Sequence, residues 1–208
     1  MADASAVLNT SPVIPVVTID DPQDAVPLAR ALADGGVGII ELTLRTESAL
    51  TSLKLIANEV PEILVGAGTI LTPGQADAAV AAGARFLVSP GVTPALLTSM
   101  LSLDVPVLPG VATVGEVMAV LEAGLDAMKF FPAGPAGGPS YLAAIGAPIP
   151  QVRFCPTGGI SLASAPEYLK LPNVACVGGS WLTPAAAVAA KDWDRITVLA
   201  RGAAALSR

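Results

Sequence analysis

The amino-acid sequence predicts an α/β chain whose eight parallel strands close into a (β/α)8 barrel. Three observations carry that expectation. Short β-branched runs recur about every 20 to 25 residues, Ala/Leu-rich stretches with helical spacing lie between them, and polar residues and glycine pairs gather at the C-terminal end of run after run. Strands that alternate with helices imply a parallel sheet. A closed barrel also needs none of the edge-blunting features that an open sheet carries.

In chain order the runs cover residues 14–19, 38–44, 63–66, 86–89, 105–109, 127–130, 152–155 and 174–177. Helical periodicity is clearest at Ala25, Leu28, Ala29 and Leu32, and again at Ala49, Leu50, Leu53, Ile56 and Ala57. Gly35 and Gly36, Gly83 and Gly124 stand just before strands, where a helix ends on a residue that tolerates left-handed backbone. Thr46, Thr72, Thr93, Thr113 and Ser161 occupy the expected helix starts, where a hydroxyl accepts from the first free amides. Glu47, Asp77 and Glu116 place negative charge in or near the opening turns.

With 208 residues, 53% of them hydrophobic and 13% charged, the chain has enough apolar surface for one large core, and a single domain over residues 1–208 is expected. No apolar run approaches the ~20 residues needed to span a bilayer. The opening MADASAVLNTSP has no basic start and no apolar stretch of export-signal length, so the expected location is the cytoplasm, away from membranes. The net charge of −6 and the scattered arginines argue against a nucleic-acid partner. Cys155 and Cys176 lie inside apolar runs and are expected to be buried thiols rather than a disulfide.

There is no histidine. That removes Ser-His-Asp and Cys-His triads, His-based zinc sites and the commonest general base. The chemistry must run on Lys, Glu, Asp, Tyr, Thr or Ser.

A barrel builds its active site from strand C-terminal ends and the loops behind them. Read off in order, those positions hold Glu41, Thr43 and Arg45, then Gly66, Ala67, Gly68 and Thr69, then Ser89, Pro90 and Gly91, then Pro109 and Gly110. Lys129 follows in the sixth run, Thr157, Gly158 and Gly159 after the seventh, and Gly178, Gly179 and Ser180 after the eighth.

Lys129 is flanked by apolar residues in a strand expected to be buried on both faces, unlike Lys54, Lys170 and Lys191. Burial disfavours an unpaired ammonium and favours the neutral amine, a nucleophile towards ketones. The same burial suits a salt-bridged core lysine. Glu41, Thr43 and Arg45 share one face of an extended strand, the lumen of a barrel. Glu41 there can take and return protons, and Arg45 offers a planar fork that matches a carboxylate. A structural Glu41–Arg45 ion pair is the competing reading. The glycine turns after the seventh and eighth runs let bare amides approach an anion, with helix starts behind them and the Thr157 and Ser180 hydroxyls as further donors, which is a recurrent barrel phosphate cradle.

The motifs Glu41-Leu-Thr-Leu-Arg45-Thr, Val65-Gly-Ala-Gly-Thr69, Ser89-Pro-Gly91, Lys129-Phe-Phe-Pro-Ala133, Arg153-Phe-Cys-Pro-Thr-Gly-Gly-Ile160 and Gly178-Gly-Ser-Trp-Leu182 run nearly end to end. In combination they resemble the 2-keto-3-deoxy-6-phosphogluconate aldolase family. The resemblance implies a class I lyase without metal or cofactor, placed in the Entner-Doudoroff pathway. It cleaves that phosphorylated keto acid to pyruvate and glyceraldehyde 3-phosphate, often also acts on 4-hydroxy-2-oxoglutarate, and is usually a homotrimer.

Matched position by position, Lys129 is the implied Schiff-base lysine and Glu41 the acid/base. Arg45 and Thr69 are implied to hold the pyruvate carboxylate, Pro90, Phe131 and Thr157 to shape the pocket, and Gly158, Gly159, Gly179 and Ser180 to bind phosphate. The segment 133–139, Ala-Gly-Pro-Ala-Gly-Gly-Pro, is richer in Gly and Pro than the family pattern. Two alternatives stay open: an aldolase for the phosphogalactonate analogue, and a non-catalytic phosphosugar-binding barrel in which Lys129 merely pairs with Glu41.

Overall fold

The computed structural model describes residues 4–207. Helix α1 (Ala4–Asn9) precedes the first strand and buries Val7 and Leu8, an element the strand-and-helix periodicity does not announce. The strands are β1 (Val13–Val17), β2 (Ile39–Thr43), β3 (Leu64–Gly68), β4 (Leu87–Val88), β5 (Val107–Leu108), β6 (Gly110–Val111), β7 (Ala127–Phe130), β8 (Arg153–Pro156) and β9 (Val177–Gly179). Between them run α2 (Ala25–Asp34), α3 (Ala49–Glu59), α4 (Pro73–Ala81), α5 (Pro94–Leu101), α6 (Val114–Glu122), α7 (Gly138–Gly146) and the short α8 (Ala165–Leu169). The short α9 (Ala185–Ala189) and then α10 (Trp193–Ala204) close the chain.

The strands form a curled, all-parallel sheet in two ladders, β5-β4-β3-β2-β1-β9 and β6-β7-β8. This departs from one continuous ladder of eight strands. The fifth expected strand breaks at Pro109, which has no amide to give the ladder, yet its carbonyl accepts from the Lys129 amide at 3.0 Å. On the other side of β8, isolated parallel bridges pair Phe154 with Val174 and Thr157 with Gly178.

Phe86, Phe130 and Phe154 are fully buried, and the ring of Phe86 fills the space a side chain at Gly66 would need. Helix α10 lies on α2, where Gly35 leaves room for Ala200 and the Thr197 hydroxyl donates to the Ala31 carbonyl. Thr72, Thr93 and Thr113 cap α4, α5 and α6, two of them with full capping boxes through Gln75 and Glu116.

Thr46 and Ser161 do not cap. The Thr46 hydroxyl is drawn to the Ile19 carbonyl at 2.6 Å, leaving Ser48 at the start of α3. Ser161 instead turns the chain ahead of Ser164, which starts α8. Cys155 and Cys176 are buried thiols. No helix among the described residues is long and apolar enough to cross a membrane.

Candidate active site

The register places Val16 level with Glu41, and Glu41 level with Gly66, so alternate residues of β1, β2 and β3 share one face. On that face Glu41 reaches across to β7. Its Oε1 accepts from Lys129 Nζ at 2.9 Å, with the lysine and glutamate side chains only 5% and 4% exposed. A buried ammonium is tolerable because this carboxylate meets it. Glu41 therefore has Lys129, not Arg45, as its ionic partner, and the competing Glu41–Arg45 pair does not form. Lys129 Nζ also lies 5.5 Å from the centre of the Phe131 ring.

Arg45 is exposed at the mouth, and its Nε donates to Thr69 Oγ1 at 3.2 Å. Thr69 holds a left-handed backbone, φ 61°, rare for a β-branched residue. That twist lies between β3 and α4 and turns the hydroxyl towards the guanidinium. Pro90 follows β4 and packs its carbonyl against Gly110, whose amide donates to the Ser89 hydroxyl. It stands on the same end of the sheet but is not among the residues lining the cavity described next.

Phe131, Arg45, Thr18, Gly158, Gly159 and Ser180 line a cavity of about 200 Å³ together with Thr157, Gly178 and Gly179. Gly158 and Gly159 adopt φ of 101° and 76°, and their amides donate to no group among the described residues, which leaves bare donors at the cavity wall. The helix starts expected directly behind these turns are absent. Helix α8 begins six residues after Gly159 and α9 five residues after Ser180, so no helix start stands directly behind either turn. Thr157 also differs from expectation: its hydroxyl donates inward to the Cys155 carbonyl at 3.4 Å and packs against Gly178.

The Gly/Pro-rich segment after Lys129 is tied to the same turn. Ala133 and Gly134 amides donate to the carbonyls of Thr157 and Gly158 at 2.8 and 2.9 Å. Helix α7 then starts from Gly137, whose φ is 110°.

Two contributors escaped the sequence. Gly68 was seen only as part of a glycine turn, but it faces the Glu41 carboxylate and leaves the space that carboxylate fills. Thr18 lines the cavity beside Val16, and only its position two residues beyond Val16 on an alternating strand pointed there.

The model of the KDPG and KHG aldolase family matches residues 4–199. The KHG/KDPG aldolase of Escherichia coli is 51% identical over 200 residues, 96% of this chain and 94% of the relative. Two solved structures superpose closely. One is KDPG aldolase from Legionella pneumophila with pyruvate captured as a covalent carbinolamine intermediate (TM-score 0.96, 50% identity, 98% and 99% of the two chains). The other is the Zymomonas mobilis enzyme with 3-phosphoglycerate (TM-score 0.93, 46% identity, 99% and 97%). With the family model matched over almost the whole length and relatives at this identity, the chain belongs to the KDPG and KHG aldolase family.

Proposed function

We propose that this chain is a class I aldolase that cleaves 2-keto-3-deoxy-6-phosphogluconate to pyruvate and glyceraldehyde 3-phosphate. The observation that carries the reading is the buried Lys129–Glu41 contact at 2.9 Å; neither residue lines the cavity, but Lys129 Nζ lies 5.5 Å from the ring of Phe131, which lines it together with Arg45 and the glycine turns. The captured carbinolamine in the Legionella pneumophila relative supports a lysine that bonds covalently to pyruvate.

That geometry supports the following steps. Lys129 passes a proton to Glu41 across their hydrogen bond, and the freed amine attacks the ketone carbon. Glu41 returns that proton to the alkoxide, takes a second from the nitrogen of the carbinolamine and passes it to the same oxygen, which leaves as water and generates the iminium. The carboxylate, ionised again, takes the proton of the C4 hydroxyl. The C3–C4 bond breaks, its electron pair flows into the iminium, and the aldehyde departs. Glu41 then protonates C3 of the enamine, and water hydrolyses the restored iminium to pyruvate and free Lys129. In this reading Arg45 and the Thr69 hydroxyl hold the keto acid's carboxylate, Phe131 forms part of the cavity wall, and Pro90 shapes the pocket from the same end of the sheet. The turns at Gly158, Gly159, Gly179 and Ser180 take the phosphate.

The reading includes a single domain in which the two ladders close as one eight-stranded barrel. The Lys129–Pro109 hydrogen bond and the bridges from β8 to the β9 side support that closure. It also includes a homotrimer working in the cytoplasm.

Borohydride added with pyruvate tests the mechanism. The expected product is an N-carboxyethyl group on Lys129, located by peptide mass spectrometry. Pyruvate release from the phosphorylated acid with Lys129 left unmodified would overturn the mechanism.

A further inference from the structure

Strand β1 runs between the two halves of the candidate site. It pairs with β9, which ends at the Gly179-Ser180 turn, on one side and with β2, which carries Glu41 and leads to Arg45, on the other. A ligand stretched from Arg45 to the glycine turns must cross the end of β1, where Val16 and Thr18 line the cavity. Val16 offers it no polar atom. Thr18 stands at the rim and does.

The proton count at Thr18 fixes what it can offer. Thr43 Oγ1 donates its single hydrogen to the Val17 carbonyl at 2.9 Å. The 2.9 Å contact between Thr43 Oγ1 and Thr18 Oγ1 must then be donated by Thr18. With its own hydrogen committed to buried Thr43, the Thr18 oxygen presents only lone pairs to the cavity. It is an acceptor, and its orientation is held by a partner that is itself held.

We propose that Thr18 determines specificity by accepting a hydrogen bond from the substrate's C5 hydroxyl, the one between the cleaved bond and the phosphate-bearing carbon. This rests on the aldolase reading above. In that reading the carboxylate, the ketone, the C4 hydroxyl and the phosphate all have partners, and the C5 hydroxyl has none. An acceptor aimed at that carbon favours a hydroxyl, which brings a proton, and disfavours a carboxylate, which brings none. In 4-hydroxy-2-oxoglutarate the same carbon is a carboxylate. Thr18 therefore biases the enzyme towards the hydroxylated phosphosugar acid.

The test compares kcat/KM for pyruvate release from the two substrates in wild type, Thr18→Val and Thr18→Ser. Thr18→Val keeps the side-chain shape and deletes the acceptor. Its preference for the phosphorylated acid over 4-hydroxy-2-oxoglutarate should fall about fivefold to tenfold, the worth of one neutral hydrogen bond. Thr18→Ser should restore most of it. An unchanged preference in Thr18→Val, or equal losses on both substrates, would overturn the assignment while leaving the aldolase reading intact. Wild-type protein that forms no pyruvate from either substrate would overturn both.

Discussion

Gly68 and Glu41 occupy what is in effect one side-chain site. A Cβ at position 68 would meet the Glu41 carboxylate and the carbon chain behind it, so the glycine is what lets the carboxylate lie where Lys129 can reach it. The backbone at Gly68 does not require left-handed dihedrals, so a substitution there acts through space alone.

Gly68→Ala should therefore displace Glu41 from Lys129 and lower kcat by about 10- to 100-fold, the scale expected when a catalytic group shifts by an ångström. The far-ultraviolet circular dichroism should stay native. Wild-type turnover in the alanine variant would show that the close approach is not needed.

Glu41→Gln preserves the volume and one oxygen acceptor for Lys129 but cannot exchange protons. Turnover should fall on the order of 100- to 10,000-fold, as for other lost acid-base groups. Slow trapping by pyruvate and borohydride should persist, because the amine itself remains. A variant that turns over like wild type would remove Glu41 from the mechanism, and one that traps at wild-type speed would confine its role to the cleavage half.

Acid stability gives a separate check. The Glu116 carboxylate in the capping box of α6 is held below its ordinary value, 4.5, chiefly by the Ala112 amide; burial opposes this next most strongly, and the amide and hydroxyl of Thr113 add to the lowering. A carboxyl lowered in the folded state stabilises fully above its unfolded value and loses that contribution as pH falls through the folded one. Glu116→Gln should thus lower Tm by about 2 °C or less at neutral pH, and the gap should narrow as pH falls below the ordinary value of 4.5. A gap that stayed constant down to pH 3 would contradict the ionic origin of the cap.

Much of this site was legible because its signals are local. A lysine amid apolar neighbours in a strand announces a buried charge that needs a partner, and Glu41-Thr43-Arg45 on one face of β2 announces a lumen column. What alternation cannot supply is the identity of neighbours across the sheet. It left Glu41 between Lys129 and Arg45, and it could not see that Gly68 stands against that carboxylate. Thr46 failed as a cap for a related reason: its hydroxyl is captured by the Ile19 carbonyl, 27 residues away, where no local window looks. The break at Pro109 was not readable from proline alone, since Pro15 and Pro156 stand inside the unbroken strands β1 and β8. The helix starts assumed behind the glycine turns came from the general pattern of barrels, and this chain spends several loop residues there instead.

Thr69 has a consequence for how this protein could be hardened. A β-branched residue with φ 61° sits about 1–3 kcal/mol above the same position occupied by glycine. Selection for heat tolerance alone would accordingly press on that position early and discard the hydroxyl facing Arg45. Under the proposed reading, thermostability and hold on the keto acid are set against each other at one backbone dihedral, and the threonine at this position sits on the side of grip.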